Sequence, residues 1–368
     1  MGGRCNSPER IVRDTTATLS DPHWFADTLN VEAGFIEFVH TDRAALSDAP
    51  FLDERFSRDL TRRVRLPIDR LLKMSGLAPP KMPFVFHTSF CCSTLLARAL
   101  DYPDRNLSLK EPKVLIDLAD ARRVSMRLRN EPHIWPALTN SILSVLSRRF
   151  DPNESILVKP TNLVNNLIPD IVSSGSPILL LYSDLRSFLV SVIKGGEGRR
   201  AFVRSAFNKL RLDPEPLGGI PDHQATEFTD LQIATLVWRH QMEGFMKILR
   251  GPYGRPVRTL DCSVLLARPA ATLTTVNKFF ALGLPPDAIR SIASGPVFLV
   301  NSKNKDQNYN INQRATDTQR IETQYDDTLE SILNWAQKLC LGVDVPSTIP
   351  NALELTTPAG SSSRRDAG

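Results

Sequence analysis

Cysteine is scarce in this chain. The five residues Cys5, Cys91, Cys92, Cys262 and Cys340 are odd in number, form no C-x-x-C pair and have no histidine at ligand spacing. That argues against a disulfide framework and a zinc site, and a reducing cytoplasm is the compartment it implies. Long apolar runs are missing as well. No uninterrupted stretch reaches the roughly 20 residues of a membrane span, so no membrane association is expected. Residues 1–14 carry Arg4, Glu9, Arg10, Arg13 and Asp14 where a secretory signal needs a continuous apolar segment. Aromatic residues are only 7% of the chain. No basic stripe is interleaved with them, which argues against a nucleic-acid reader. Neither sign of charge dominates, since 45 basic and 40 acidic residues leave a net +5. Such an excess suits a phosphate-bearing ligand or an acidic substrate, although many ordinary enzymes share it.

What the chain does have is 42% hydrophobic residues over 368 positions, enough for a packed core. Residues 1–20 are polar. From Asp21 to Leu77 the pattern reads as mostly helical, with Val64, Ile68, Leu71 and Leu72 at helix spacing and arginines between them. This predicts a helical extension over 1–78. Gly76, Pro79, Pro80 and Pro83 then break the chain. Phe84-Val85-Phe86 reads as a short buried strand, followed by a loop of small and hydroxyl residues and the helical Leu95, Leu96, Ala99 and Leu100. Ile156-Leu157-Val158, ending at Lys159, and Ile178 to Tyr182, ending at Ser183-Asp184-Leu185-Arg186, repeat that grammar. Val257-Arg258-Thr259-Leu260 is a fourth strand, and Asp117 to Arg149 is an Arg-rich helical region between the first two. Short apolar strands alternating with helices predict an α/β fold, a parallel sheet with helices on both faces. The tail from Pro346, with Gly360-Ser361-Ser362-Ser363, reads as disordered. Ligands in such sheets bind where the strands end, so the loops after each strand are where chemistry belongs.

The loop after the first strand, Thr88-Ser89-Phe90-Cys91-Cys92-Ser93-Thr94, can cradle phosphate. Backbone N–H groups at a helix start point at the anion, and the Ser93 and Thr94 hydroxyls add donors. The same pair also suits a plain helix cap. G-x-x-x-x-G-K-[ST] is absent, which weakens an ATP-hydrolysing reading. The segment from Phe86 to Leu96 resembles the 5′-phosphosulfate loop of the sulfotransferase superfamily, G-T-x-R/K-S-G-[ST]-T-L-L. Ser183-Asp184-Leu185-Arg186 with Ser191 resembles that family's 3′-phosphate segment, in which R-D-x-R is followed by a serine. Thr259-Leu260-Asp261, Arg268-Pro269 and Phe280 to Leu284 resemble its later Y-E-D-L, proline and F-L-G-L elements. The matches fall in the family's order and cover about residues 80–345.

The resemblance implies a P-loop-type parallel sheet over 79–345. It also implies 3′-phosphoadenosine-5′-phosphosulfate as co-substrate, no metal, and transfer of a sulfonyl group to a hydroxyl or amine of a small molecule or peptide. It places Thr88, Ser89, Phe90, Cys91, Cys92, Ser93, Thr94, Ser183, Arg186, Ser191 and Lys303 on the nucleotide. Two family cations are replaced, by Phe90 and Ser183. Arg98, Arg186, Lys194, Arg199, Arg200, Arg204, Lys303 and Lys305 are the available substitutes, each with an ordinary reading as solvated charge. Lys159, at a strand's end, matches the lysine that contacts the bridging oxygen. The histidine of the cytosolic enzymes' K-T-H is missing from Lys159-Pro160-Thr161. Glu111 stands where protein-tyrosine sulfotransferases carry their base, so the resemblance makes it the base here; a surface glutamate opening a helix before Pro112 is the competing reading. His87 is expected to hydrogen-bond backbone, Cys91 and Cys92 to pack as small residues, and Trp238 to lie in the core. Alternatives on the same fold are a nucleotide-binding or regulatory pseudoenzyme, motivated by the two lost cations, and a nucleotide-dependent kinase.

Overall fold

The structure, a computed structural model, describes residues 15–73, 80–213, 217, 226–253, 256–299, 311–338 and 348–355. Its strands are β1 (Trp24–Asn30), β2 (Phe35–His40), β3 (Arg63–Pro67), β4 (Phe84–His87), β5 (Asn106–Lys110), β6 (Ser155–Lys159), β7 (Ile178–Tyr182) and β8 (Val257–Asp261). The last five form one parallel sheet in the order β5-β6-β4-β7-β8. Its strands are buried along nearly their whole length, as a sheet covered on both faces requires. Alternate residues feed two cores. Phe84, Phe86, Ile156, Val158, Ile178 and Leu180 face one; Val85, Leu157, Leu179, Leu181 and Leu260 face the other. Helices such as Lys113–Val124 and Asp230–Arg250 cover the first face, and Ser93–Leu100 and Pro269–Phe280 the second.

The chain leaves β4 towards β5 and leaves β7 towards β8. The adjacent strands β4 and β7 therefore send their loops in opposite directions, which opens a crevice at their carboxyl ends. Both loops that the sequence singled out for phosphate lie at that point.

One strand of this sheet was not legible in advance. In Asn106-Leu107-Ser108-Leu109-Lys110 only alternate residues are apolar, yet all five are buried. Asn106 Nδ2 donates to Leu100 O (2.8 Å) and Ser108 Oγ (3.1 Å), and Lys110 Nζ donates to Ser47 O (2.9 Å). Burial pulls the Lys110 ammonium below its ordinary pKa despite the nearby Asp101 carboxylate. Glu111 stands between β5 and the helix Lys113–Val124, whose N-cap is Pro112.

The N-terminal segment is not the helical extension its pattern suggested. β1, β2 and β3 form an antiparallel sheet, with short helices at Thr15–Ser20, Arg43–Asp48, Glu54–Ser57 and Ile68–Leu72. The turn between β1 and β2 needs Gly34 at φ 71°. In β3, Val64 and Leu66 alternate with outward arginines; this is period two, and it mimicked a helical spacing only because Ile68, Leu71 and Leu72 follow as a true helix. The Arg65 guanidinium lies 3.9 Å from the Phe35 ring centroid.

This small sheet docks on the large one through buried polar ties. Leu29 N donates to Asp117 (2.9 Å), and Arg148 reaches the carbonyls of Thr18, Leu19 and Asp21. Arg43 bridges Glu154 (2.6 Å) and Asp101 (3.4 Å). Leu52 is stitched beside β5, its N–H donating to Lys110 O (2.7 Å) and its carbonyl accepting from Lys113 N (2.9 Å). The tail also departs from expectation over residues 348–355. Asn351 and Leu353 exchange backbone bonds with Thr259 at 3.0 and 2.8 Å, covering the open edge of β8. Among the described residues no helix is long and apolar enough to cross a membrane.

Candidate active site

The loop between β4 and the helix Ser93–Leu100 turns sharply. Ser89 (φ 72°), Phe90 (φ 53°) and Cys92 (φ 65°) are all in the left-handed region, where non-glycine residues are uncommon. Cys92 starts the helix without a side-chain cap, so the first helical N–H groups face outward from the sheet end. Ser93 and Thr94, the first two residues of the helix, are buried. The loop is tied to the neighbouring strand, since Thr88 N donates to Leu181 O (3.2 Å) and Cys91 Sγ to the same carbonyl (3.4 Å).

His87 braces this turn. Its Nδ1 accepts from Ser89 N (3.0 Å), which leaves Nε2 as the donor to Pro160 O (3.0 Å). Both ring nitrogens are thus engaged with backbone. Burial pushes the Cys91 thiol up to about 12, and hydrogen bonding with Cys92 together with burial raises Cys262. Cys91 and Cys262 are buried among the apolar side chains of the second core. Trp238 is buried and donates Nε1 to Ser183 O (2.8 Å).

Phe90, in the place of a basic residue, packs against Phe188 (5.5 Å) and Phe202 (5.7 Å), joining the loop to the helix Leu185–Lys194. Ser183, in the place of the second cation, is buried, and its hydroxyl finds no hydrogen-bond partner among the described residues. A buried hydroxyl left unpaired is costly. Arg186 instead turns to the helix Asp326–Lys338, donating to Asp326 and Glu330 at 2.6 Å each. Those hydrogen bonds hold its pKa above the ordinary guanidinium value. Lys194 pairs with Asp317 (3.2 Å) and Arg204 with Asp230. Ser191 is half-buried in the last turns of its helix. Lys303 and Lys305 lie outside the described residues.

On the other side of β4, Glu111 and Lys159 meet. β5 and β6 run parallel with Lys110 opposite Lys159, so Glu111 leaves its strand beside the lysine. The Lys159 ammonium is buried and ion-paired to the Glu111 carboxylate, which keeps 17% of its side chain exposed. Glu111 holds φ 58°, fixed by its N–H donating to Lys159 O (2.7 Å). The small N-terminal sheet's own connection completes the surroundings. The Phe51 ring lies 5.9 Å from Lys159 Nζ and 4.3 Å from the Arg55 guanidinium. Arg55 pairs with Asp53: burial would raise that carboxyl, but the bonds from Arg55 hold it below its usual value. Nothing in the sequence pointed to Phe51 or Arg55, because their proximity to Glu111 depends on the Leu52 pairing with β5.

No family profile matches the chain, and no curated protein matches it. Among solved structures, the sulfotransferase domain from the curacin biosynthetic pathway aligns with 68% of this chain and 99% of its own, at 14% identity and a TM-score of 0.38. A sulfotransferase from Alicyclobacillus acidocaldarius aligns with 67% of this chain and 96% of its own, at 13% identity and a TM-score of 0.34.

Proposed function

We propose that this protein is a sulfotransferase-like enzyme that moves a sulfonyl group from 3′-phosphoadenosine-5′-phosphosulfate to a hydroxyl or amine acceptor. One observation carries the reading. Glu111 and Lys159, the residues to which the resemblance gives the base and the bridging-oxygen cation, are far apart in sequence yet ion-paired at the carboxyl ends of adjacent strands. The nucleotide suits the neighbouring loop, where helix-start N–H groups, the Ser93 and Thr94 hydroxyls and the orphaned Ser183 hydroxyl offer donors to phosphate oxygens.

As substrate, the nucleotide supplies an activated sulfonyl group: the acceptor's oxygen or nitrogen bonds to sulfur while the sulfur–oxygen bridge breaks, its electron pair remaining on the bridging oxygen. Glu111 takes the proton from the acceptor. Lys159 donates a hydrogen bond to the bridging oxygen as charge gathers there. The ion pair couples these two roles. Protonation of Glu111 removes the charge that holds Lys159, releasing the ammonium for the leaving oxygen.

The pseudoenzyme alternative draws on Phe90 and Ser183 standing where cations are expected and on Arg186 being held by two carboxylates. A thermal-shift titration with 3′-phosphoadenosine-5′-phosphate, followed by a screen of hydroxyl and amine compounds with radiolabelled donor, separates the cases. Stabilisation and label transfer are expected. Stabilisation without transfer to any acceptor supports a nucleotide-binding pseudoenzyme, stabilisation by ATP–magnesium alone supports a kinase, and a folded protein that binds no nucleotide defeats the enzyme and the kinase and leaves the regulatory pseudoenzyme.

A further inference from the structure

We propose that Arg199, delivered by the helix Gly196–Leu210, is the cation of the phosphate loop and binds the anion that residues 88–94 cradle. This rests on the reading above that the loop holds a sulfonucleotide. The loop itself brings donors but no charge, since its third residue is Phe90 and its partner across the crevice is Ser183. A doubly charged phosphate or phosphosulfate half out of water needs a countercharge.

Three features place Arg199 for that role. Its guanidinium lies 5.0 Å from the Phe90 ring centroid, so the phenyl ring at the basic position is the surface on which the arginine rests. It is also moored to the 3′-phosphate segment, donating through Nη1 to Ser191 O. The backbone, finally, makes room for it. A Cβ at Gly195 would stand 1.9 Å from Arg199 Cδ, 2.2 Å from Cγ and 2.4 Å from Nε, so the side chain folds back over the helix junction only because residue 195 is glycine. The nearby cations Arg186 and Lys194 are directed instead to Asp326, Glu330 and Asp317.

Calorimetric titration with 3′-phosphoadenosine-5′-phosphate, alongside thermal melts, tests the assignment. Arg199→Ala should weaken binding by about 10-fold or more, the worth of a charge-assisted bond. Arg199→Lys should recover part of the loss, and Phe90→Lys added to Arg199→Ala should recover most of it, since the charge then returns from the loop itself. A merely structural arginine would not be rescued from that position. Gly195→Ala is the independent test. Gly195 has φ −82° and ψ 0°, a conformation alanine accepts, so the substitution displaces Arg199 without straining the backbone. It should weaken binding at an unchanged melting temperature, and it decides the matter should Arg199→Ala fail to fold. Unchanged affinity in folded Arg199→Ala, or in Gly195→Ala, overturns the proposal. Inorganic pyrophosphate is the second probe. A protein that binds pyrophosphate through Arg199 but ignores the nucleotide would sink the sulfotransferase reading and keep only Arg199 as the loop's anion-binding cation; a protein that binds neither sinks both.

Discussion

Lys159 and Arg186 stand at the carboxyl edge of the same sheet, on opposite sides of β4, and both are ion-paired. Their surroundings differ. Lys159 is fully buried against one partly exposed carboxylate from a neighbouring strand. Arg186 is about a third exposed and held by two carboxylates that are more than half exposed. A pair on the surface is screened and worth roughly 0–1 kcal/mol. A buried ammonium has given up its water, so whatever neutralises or releases its partner changes its state sharply. Proton transfer to Glu111 can therefore act on Lys159 in a way that no event at Asp326 or Glu330 acts on Arg186.

The largest expected effect is at Glu111. Glu111→Gln keeps an acceptor oxygen for the Lys159 ammonium but cannot take a proton. Turnover should fall by about 100- to 10,000-fold with little change in nucleotide affinity. Melting curves must accompany the assay, because Lys159 loses a countercharge while remaining buried. Normal turnover in this variant would remove Glu111 from the chemistry and collapse the contrast with Arg186.

Lys159→Ala comes next, at about 100-fold or more in turnover, the worth of an aimed donor at developing charge. The stability cost should be smaller than for Glu111→Gln. The carboxylate left behind is partly exposed and can take up water, whereas the lysine cannot. A lysine that served only to anchor the β5–β6 edge would give the reverse, a lowered melting temperature with turnover per folded molecule preserved.

The contrast also explains what the sequence could and could not disclose. Lys159 was legible because it ends an unmistakable apolar strand, Ile156-Leu157-Val158, and strand ends in a parallel sheet are where ligands lie. β4, β6, β7 and β8 were legible for the same reason. β5 was not: its polar residues are buried only because Leu100, Ser47 and Ser108 supply partners, and such satisfaction is a tertiary fact. The N-terminal sheet was missed because strand alternation ran directly into a helix, so two periods merged into one. The fate of Arg186 was beyond reach as well, since its carboxylates come from a helix some 140 residues later. Gly195 carried a trace of the Arg199 arrangement, but a glycine between two helical patterns reads as a plain break until the side chain lying over it is seen.

Between the two cations lies the phosphate loop, where a moderate effect is expected. Thr94→Ala removes one hydroxyl from a buried helix start and should cost about 1.5–3 kcal/mol of nucleotide binding if that hydroxyl meets a charged oxygen. An unchanged dissociation constant in titration calorimetry would take the loop out of the site.

The smallest effect is expected at Arg186, and it is the one that sharpens the comparison most. Arg186→Ala should lower stability by no more than about 1 kcal/mol, and added salt should erase the difference, because the arginine and both carboxylates are partly solvated. Its effect on the affinity for 3′-phosphoadenosine-5′-phosphate should stay below that of Arg199→Ala. For the guanidinium to reach a 3′-phosphate it would have to leave both Asp326 and Glu330, exchanging two existing charge-assisted bonds for new ones of similar strength. A loss at Arg186 equal to that at Arg199, seen only with the 3′-phosphorylated nucleotide and not with adenosine 5′-phosphosulfate, would mean that the exchange does occur. The helix Asp326–Lys338 would then hold the arginine only until the nucleotide arrives.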